Sequence, residues 1–216
     1  DRGFVGASLA DIAQAVGIRK PSLLYHFTSK DELRRKVLEN MLVRWNESLP
    51  NLLMAAASGR EQFEAVLSET VRFFAADPDR AKLLLRETLD REEEMMKLLD
   101  NYVRPWTSVV CDYIRKGQEQ GRISAALQPE YYVIQIINLV VASMATSQTM
   151  APLRPPGADE NHRREESQED VETEDKGRIL AGGPSKAHIE ELIRVARTSL
   201  FIGADRDEST ETSTPV

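Results

Sequence analysis

Hydrogen-bond donors that suit phosphate oxygens are concentrated between residues 8 and 30 of this sequence. Hydroxyls, ammonium and guanidinium groups, and a histidine all bind the nucleic-acid backbone without any reaction taking place. The pattern therefore favours binding over catalysis, with DNA as the expected partner. The donors are Ser8, Arg19, Lys20, Ser22, Tyr25, His26 and Lys30.

Two short helices must carry these donors. Ser8 is a helix N-cap with Asp11 at the capping-box position, and the apolar residues that follow repeat at helical spacing. Gly17 suits a helix stop, and Pro21 fits the first turn of a second helix. Ser29 can cap a third helix. Two short helices joined by a tight glycine turn predict a helix-turn-helix.

The segment SLADIAQAVGIRKPSLLYHFTSKDEL resembles the N-terminal domain of the tetracycline-repressor (TetR) family of transcriptional regulators. The resemblance extends without a gap from about Arg2 to Val37. It implies an all-α chain, with a three-helix helix-turn-helix DNA-binding domain before a C-terminal helical domain for ligand binding and dimerisation. The family's first helix, which precedes the segment matching Arg2, is missing from this sequence. We expect the DNA-binding domain to be less stable without it.

The second helix is the part that such proteins aim into the major groove. Lys20 suits either a guanine or a phosphate, and Leu24 suits a thymine methyl group. The resemblance implies phosphate contacts for Tyr25, His26 and Lys30. Packing in the small core is the alternative for Tyr25 and His26, as predicted for Leu23 and Phe27, and Arg19 suits solvent or phosphate equally. The predicted DNA contacts are Ser8, Arg19, Lys20, Pro21, Ser22, Leu24, Tyr25, His26 and Lys30.

Charge is distributed unevenly along the chain. The net charge of the 216 residues is −7, yet residues 1–46 carry eight basic and five acidic side chains. A basic N-terminal part on an acidic body can steer the basic part towards DNA. A single cysteine excludes a disulfide framework within the chain. With no apolar run of membrane-spanning length and no signal peptide, we expect a cytoplasmic protein with no membrane partner.

Domain boundaries follow from helical periodicity and composition. We predict a DNA-binding domain over residues 1–48, ending in a linking helix over 30–48, and a ligand-binding and dimerisation domain over 49–202. Residues 151–184 are rich in proline, glycine and acidic side chains, so we expect a disordered insertion there. An acidic shield or partner-binding tail over 158–176 is the alternative. Residues 203–216 are predicted to be a disordered tail.

A series of helices and no strand is predicted after Pro50. Segments 60–75 and 79–89 each have one apolar face, and a further helix starts at Glu92, which Pro105 either kinks or ends. Residues 131–145 are apolar on almost every side, which predicts either a central core helix or a subunit contact. The resemblance implies the second, with helices near 129–150 and 185–201 forming a homodimer interface.

Aromatic, methionine and polar side chains of the body are candidates for a ligand pocket, because cavities between helices are lined in this way. Plain core packing is the alternative for each of them. The predicted pocket residues are Phe74, Met96, Tyr102, Trp106, Tyr113 and Asn138.

No catalytic or metal-binding constellation is recognisable. The three histidines have no ligand spacing with Cys111, whose alternatives are a buried small hydrophobe and a redox sensor. We therefore predict no cofactor and no enzyme. The predicted function is a ligand-responsive repressor that binds a palindromic DNA operator as a homodimer and responds to an unknown small-molecule effector. A helical interaction module without DNA binding and a small helical enzyme are the alternatives.

Overall fold

The computed structural model describes residues 6–55, 59–153 and 184–201, and the side chains of all of these except 48–55 and 59. The chain divides into two compact units, Asp1–Trp45 and Asn46–Val216. Within the described ranges there are nine α-helices and no extended strand, as the all-α prediction requires. The helices are α1 (Leu9–Ala15), α2 (Lys20–His26), α3 (Lys30–Ala55), α4 (Gly59–Ala75), α5 (Pro78–Asp90), α6 (Glu92–Tyr102), α7 (Arg104–Glu119), α8 (Pro129–Thr146) and α9 (Lys186–Leu200).

Reciprocal capping starts α1. The Asp11 amide donates to Ser8 Oγ, and the Ser8 amide donates to Asp11 Oδ2 at 2.8 Å, which completes the predicted capping box. The helix closes at Gly17, whose φ of +74° lies in the left-handed region that favours glycine. The Ile18 amide then donates to the Ala13 carbonyl at 2.9 Å, so the turn into α2 has its backbone groups paired. The predicted glycine turn is confirmed.

The third helix is longer than predicted. It begins at Lys30, with the Glu32 amide donating to Ser29 Oγ at 3.1 Å, and it continues through Pro50 to Ala55. The predicted end at residue 48 is therefore wrong. Pro50 removes one backbone donor, but the leucine, methionine and alanine residues that follow are strong helix formers and continue the helix.

The C-terminal unit is built around α8. This helix packs against α4, α5, α7 and α9, and α5 also packs against α4 and α6. The shared core contains side chains at 2% exposure or less, such as Val71 of α4, Ile114 of α7, and Val140 and Met144 of α8. Pro105 lies in the first turn of α7, so it starts a new helix and does not kink the one before.

One face of α8 is buried and another is exposed. Tyr132, Val133 and Val140 are buried, whereas Tyr131 is 65% exposed and Ile134 is 52% exposed. Helix α8 is therefore central to the core, as one alternative predicts, but it is not buried on every side in the single chain. An apolar helix face that remains uncovered after the chain has folded is a feature of interaction surfaces.

The last helix, α9, starts at the cap Ser185 and buries Leu192, Ala196 and Leu200. Phe201, the residue that caps its C-terminal end, forms an isolated antiparallel bridge with Ile123. The predicted insertion over 151–184 and the predicted tail over 203–216 lie almost entirely outside the described residues, and so do residues 1–5.

Candidate nucleic-acid interface and ligand cavity

Helix α2 separates one buried side chain from a row of exposed ones. Leu23 is 5% exposed, and it anchors the helix as predicted. Leu24 is 39% exposed, and Lys20 and Ser22 are also exposed. A seven-residue helix with one deeply buried position presents most of its surface to solvent, so its donors are available to a ligand. Arg19 and Pro21 are also exposed.

Tyr25 and His26 do not complete the core. Tyr25 is 86% exposed and His26 is exposed too, with their rings in an edge-to-face contact at 5.2 Å between centroids. The packing alternative for these two residues is therefore wrong. Only Phe27, the residue after α2, turns partly inward.

Lys30 and Ser8 already have partners within the N-terminal unit. The ammonium of Lys30 donates to the Ala7 carbonyl at 2.9 Å, which ties the start of α3 to the chain just before α1. The Ser8 hydroxyl donates to Asp11 Oδ2 at 2.7 Å. An ammonium has three donors, so its bond to Ala7 leaves capacity for a phosphate oxygen. DNA contact by any of the nine predicted residues stays a prediction.

The sequence analysis did not predict two polar contacts of the N-terminal unit, those of Glu32 and Arg34. The side chain of Glu32 accepts from both the amide and the hydroxyl of Thr28, at 2.7 and 2.6 Å. These hydrogen bonds from Thr28 lower the pKa of Glu32, and those from Ser8 lower the pKa of Asp11. Arg34 is 5% exposed and pairs with Asp31 at 3.6 Å. A serine or threonine three or four residues before an acid is the sequence signal for the contacts of Asp11 and Glu32.

The C-terminal unit contains a cavity of about 90 Å³. Its walls come from α4, α7 and α8, and its surface is almost entirely apolar. A largely apolar cavity between helices, with a few polar groups, is the usual form of a small-molecule site. The lining residues are Gln62, Phe63, Val66, Leu67, Thr70, Trp106, Val109, Val110, Tyr113, Tyr132, Val133, Ile136, Ile137 and Val140.

Of the six predicted pocket residues, Trp106 and Tyr113 line this cavity. The other four residues lie outside the lining, either because they are at another position on a lining helix or because their helix does not contribute to the walls. Phe74 is buried one turn beyond Thr70 on α4, while Asn138 is on the exposed side of α8. Met96 is 60% exposed and Tyr102 half-buried, both on α6, which does not contribute to the walls. Ligand binding by any of the six stays a prediction.

Most of the remaining lining residues carried a readable signal. Phe63, Val66, Leu67 and Thr70 repeat at the spacing of one helix face, and so do Trp106, Val109, Val110 and Tyr113. This spacing predicts an apolar helix face for each set. No pattern in the sequence indicates that these two faces and a third on α8 meet around a cavity.

Hydroxyl groups of the cavity differ in how they are paired. Thr70 donates to the Val66 carbonyl at 2.7 Å, and Tyr132 donates to the Ala196 carbonyl of α9 at 2.5 Å. The Tyr113 hydroxyl is buried and has no hydrogen-bond partner among the residues that the structure describes. Burial raises the pKa of Tyr132 to about 12 and also raises the pKa of Tyr113, so both hydroxyls are neutral donors at physiological pH.

Cys111 of α7 is 4% exposed, and burial, followed by the charge of Glu130, raises the pKa of its thiol. A protonated, buried thiol packs as a small hydrophobe, and it is a poor nucleophile. In the described ranges, no three histidine, cysteine, aspartate or glutamate residues are grouped as a metal site. None of the described helices is both long and apolar enough to span a bilayer.

A capped helix, a glycine turn and a second helix with an exposed basic face define a helix-turn-helix protein. Two family models match the chain: "Bacterial regulatory proteins, tetR family" over residues 1–37, and "Tetracyclin repressor-like, C-terminal domain" over residues 60–172. The chain belongs to the TetR family of regulators. Among curated relatives it is similar to the HTH-type transcriptional regulator BetI of Rhizobium meliloti, with 29% identity over 107 residues. That alignment covers 48% of this chain and 52% of BetI.

Solved structures match over a greater length. The ketosteroid transcriptional regulator KstR2 of Mycobacterium tuberculosis has a TM-score of 0.63 at 15% identity, over 93% of this chain and 88% of that one. FadR of Bacillus subtilis, in complex with stearoyl-CoA, has a TM-score of 0.60 at 12% identity, over 92% and 91%. These likenesses establish the fold. The chain spans about half the length, or less, of the curated relatives it matches.

Proposed function

We propose that this chain is a DNA-binding transcriptional repressor whose affinity for its operator is controlled by a small molecule. The exposed row on α2 carries the proposal, because Lys20, Ser22 and Leu24 face solvent around a single buried anchor, Leu23. This row offers donors for phosphates and base edges together with an apolar group for a thymine methyl. The relatives are named as transcriptional regulators and not as enzymes. Action on DNA implies a cytoplasmic location in a bacterium.

The cavity of the C-terminal unit is the proposed effector site. FadR, a protein of the same fold, is named as a complex with stearoyl-CoA, so this fold can accommodate a ligand that carries a long apolar chain. An effector changes DNA affinity only through its difference in affinity for two conformers of the protein. Helix α3, which begins at Lys30 and crosses the boundary between the two units at residue 45, is the proposed route for that change.

A homodimer is proposed through the exposed apolar face of α8, together with α9. Tyr131, Ile134 and Leu139 of α8 and Val195 of α9 are all at least 37% exposed. Covering this face with a second copy would remove apolar surface from water. Two copies would present two α2 helices to DNA, and we expect a palindromic operator with half-sites roughly 34 to 36 Å apart.

Selection of duplexes from a random pool tests the proposal. The full chain should enrich a palindrome with two half-sites, and the enriched duplex should compete with unrelated DNA. Enrichment of no common sequence, or of a single unpaired half-site, would contradict the repressor or the dimer, respectively. Addition of chemically diverse metabolites to the bound complex then identifies those that release it.

Two lysine variants separate base reading from backbone contact. Lys20→Ala should change the base preference at one position of the half-site, by about 1–3 kcal/mol. Lys30→Ala should weaken binding to all duplexes and reduce the salt slope by about 1. Lys82→Ala is the matched control, because Lys82 of α5 pairs with Asp79 at 3.0 Å in the C-terminal unit. An unchanged salt slope for Lys30→Ala would remove Lys30 from the phosphate contacts.

A further inference from the structure

Tyr113 lines the cavity, and its hydroxyl is a buried donor with no hydrogen-bond partner in the part of the chain that the structure describes. Buried hydroxyls in native proteins are almost always hydrogen-bonded, because an unpaired one has lost water and gained nothing in exchange. Thr70 and Tyr132 use their hydroxyls within the chain. Tyr113 is thus the lining hydroxyl that is left for a partner from outside the chain.

Charge limits what that partner can be. Within the described ranges, none of the residues that line the cavity carries a formal charge at neutral pH. Arg122 and Arg60 are close enough to act on the pKa of Tyr113, but they do not line the cavity. Arg60 pairs with Glu64 at 3.3 Å, and Arg122 donates to Gln120. A carboxylate or ammonium group inside the cavity would be desolvated with no ion-pair partner, which is strongly unfavourable.

The shape of the cavity limits the partner further. Aromatic walls from Phe63, Trp106 and Tyr132 suit a flat apolar body.

We propose that the cavity binds an uncharged, mostly apolar molecule, and that one oxygen of this ligand accepts a hydrogen bond from Tyr113. The ligand class is that of ketones, esters and alcohols, and Tyr113 is the residue that selects for the oxygen. This inference rests on the proposed function only for the ligand's role as effector. Binding itself can be measured without DNA.

Three probes of similar size and shape test the ligand class. Para-methylacetophenone offers a neutral acceptor oxygen, para-ethyltoluene offers none, and para-toluate carries a charge. Calorimetric titration of the full chain should give binding of the ketone at least fivefold tighter than binding of the hydrocarbon, as expected for one hydrogen bond. The carboxylate should be the weakest. Equal affinity for ketone and hydrocarbon, tighter binding of the carboxylate, or no binding of the three would overturn the inference.

Substitution assigns the selectivity to one atom. Tyr113→Phe removes only the hydroxyl and should abolish the preference for the ketone, with affinity for the hydrocarbon unchanged or higher. Tyr102→Phe is the matched control, because Tyr102 lies on α6 outside the cavity lining, and it should keep the preference. Circular dichroism checks that both variants fold. A preference that survives in Tyr113→Phe would mean that water, and not ligand, satisfies this hydroxyl.

A second readout separates this inference from the proposed function. Anisotropy of the selected duplex is measured with each probe at saturation. Release of DNA by the ketone supports both ideas. Selective binding of the ketone with unchanged DNA affinity would leave the ligand class in place and remove its role as effector.

Discussion

Tyr25 of α2 is 86% exposed, whereas the hydroxyl of Tyr113 in α7 is buried, and these two tyrosines illustrate how differently the two units are built for binding. The N-terminal unit presents its donors outward from one seven-residue helix. The C-terminal unit turns its candidate ligand contacts inward from three helices. Substitutions on the first surface should therefore change binding with little effect on folding, while those around the cavity should change both.

Two adjacent leucines give the largest contrast within α2. Leu23→Ala should lower the free energy of unfolding of the N-terminal unit by about 2–5 kcal/mol, because Leu23 is 5% exposed and its truncation leaves a cavity. Leu24→Ala, at 39% exposure, should cost about 0.5 kcal/mol and change DNA binding instead. Denaturation followed by Trp45 fluorescence, in a Trp106→Phe background, measures both. Equal losses of unfolding free energy in the two variants would contradict the assignment of Leu23 to the core and of Leu24 to the DNA-binding surface.

Two adjacent tyrosines make the corresponding comparison in the C-terminal unit. Tyr132→Phe removes a buried hydrogen bond of 2.5 Å to the Ala196 carbonyl and should cost about 1 kcal/mol. It should also weaken the attachment of α9, visible as faster amide hydrogen exchange near residue 196. Tyr131→Phe, on the exposed face, should cost less than about 0.5 kcal/mol. The assignment of Tyr132 as a link between cavity and α9 fails if the exchange rates in α9 do not change.

The N-terminal unit should lose stability in acid and the C-terminal unit in alkali. These are the smallest of the expected effects. Asp11 and Glu32 have pKa values lowered from 3.8 and 4.5, so their contribution to stability is present above those values and is lost as the pH falls through the lowered ones. Tyr132 has a pKa raised from 10.0 to about 12. Its contribution is complete below pH 10.0 and is lost as the pH rises towards 12.

Single-tryptophan variants follow each unit through these titrations. Trp45, the reporter for the N-terminal unit, should respond to acid first, and Trp106, the reporter for the C-terminal unit, should respond to alkali first. The pKa of Glu191 is also lowered, by Arg194, but this exposed side-chain pair contributes less than the capping contacts of Asp11 and Glu32, which accept hydrogen bonds from backbone amides. Coincident transitions of the two reporters in acid would contradict the difference between the units.

The difference between the two units also explains which features could be predicted from the sequence. Local signals define the N-terminal unit: Ser8 with Asp11 as a capping box, Gly17 as the turn, and Pro21 as the start of α2. Each acts within four residues of itself, so the helix-turn-helix could be predicted without knowledge of the rest of the chain. The end of α3 was missed because helix propensity after Pro50 outweighed one lost hydrogen bond.

The cavity depends on contacts between residues far apart in sequence. Helical spacing assigned Phe63 and Trp106 to apolar faces, but only the packing of α4, α7 and α8 decides which turns meet and which leave a space. Phe74 shares a helix with Phe63 and is buried outside the lining. Whether Tyr113 has a partner likewise depends on three helices at once, and no spacing rule supplies it.

Salt dependence of duplex binding is the most direct test of the central claim that the exposed row on α2 makes this chain a DNA-binding regulator. Anisotropy of the selected duplex is measured with the full chain over a series of salt concentrations. We predict that the logarithm of the affinity falls linearly with the logarithm of salt, with a slope of about −0.9 for each phosphate neutralised. No measurable binding at the lowest salt concentration, or binding that does not change with salt, would contradict the account.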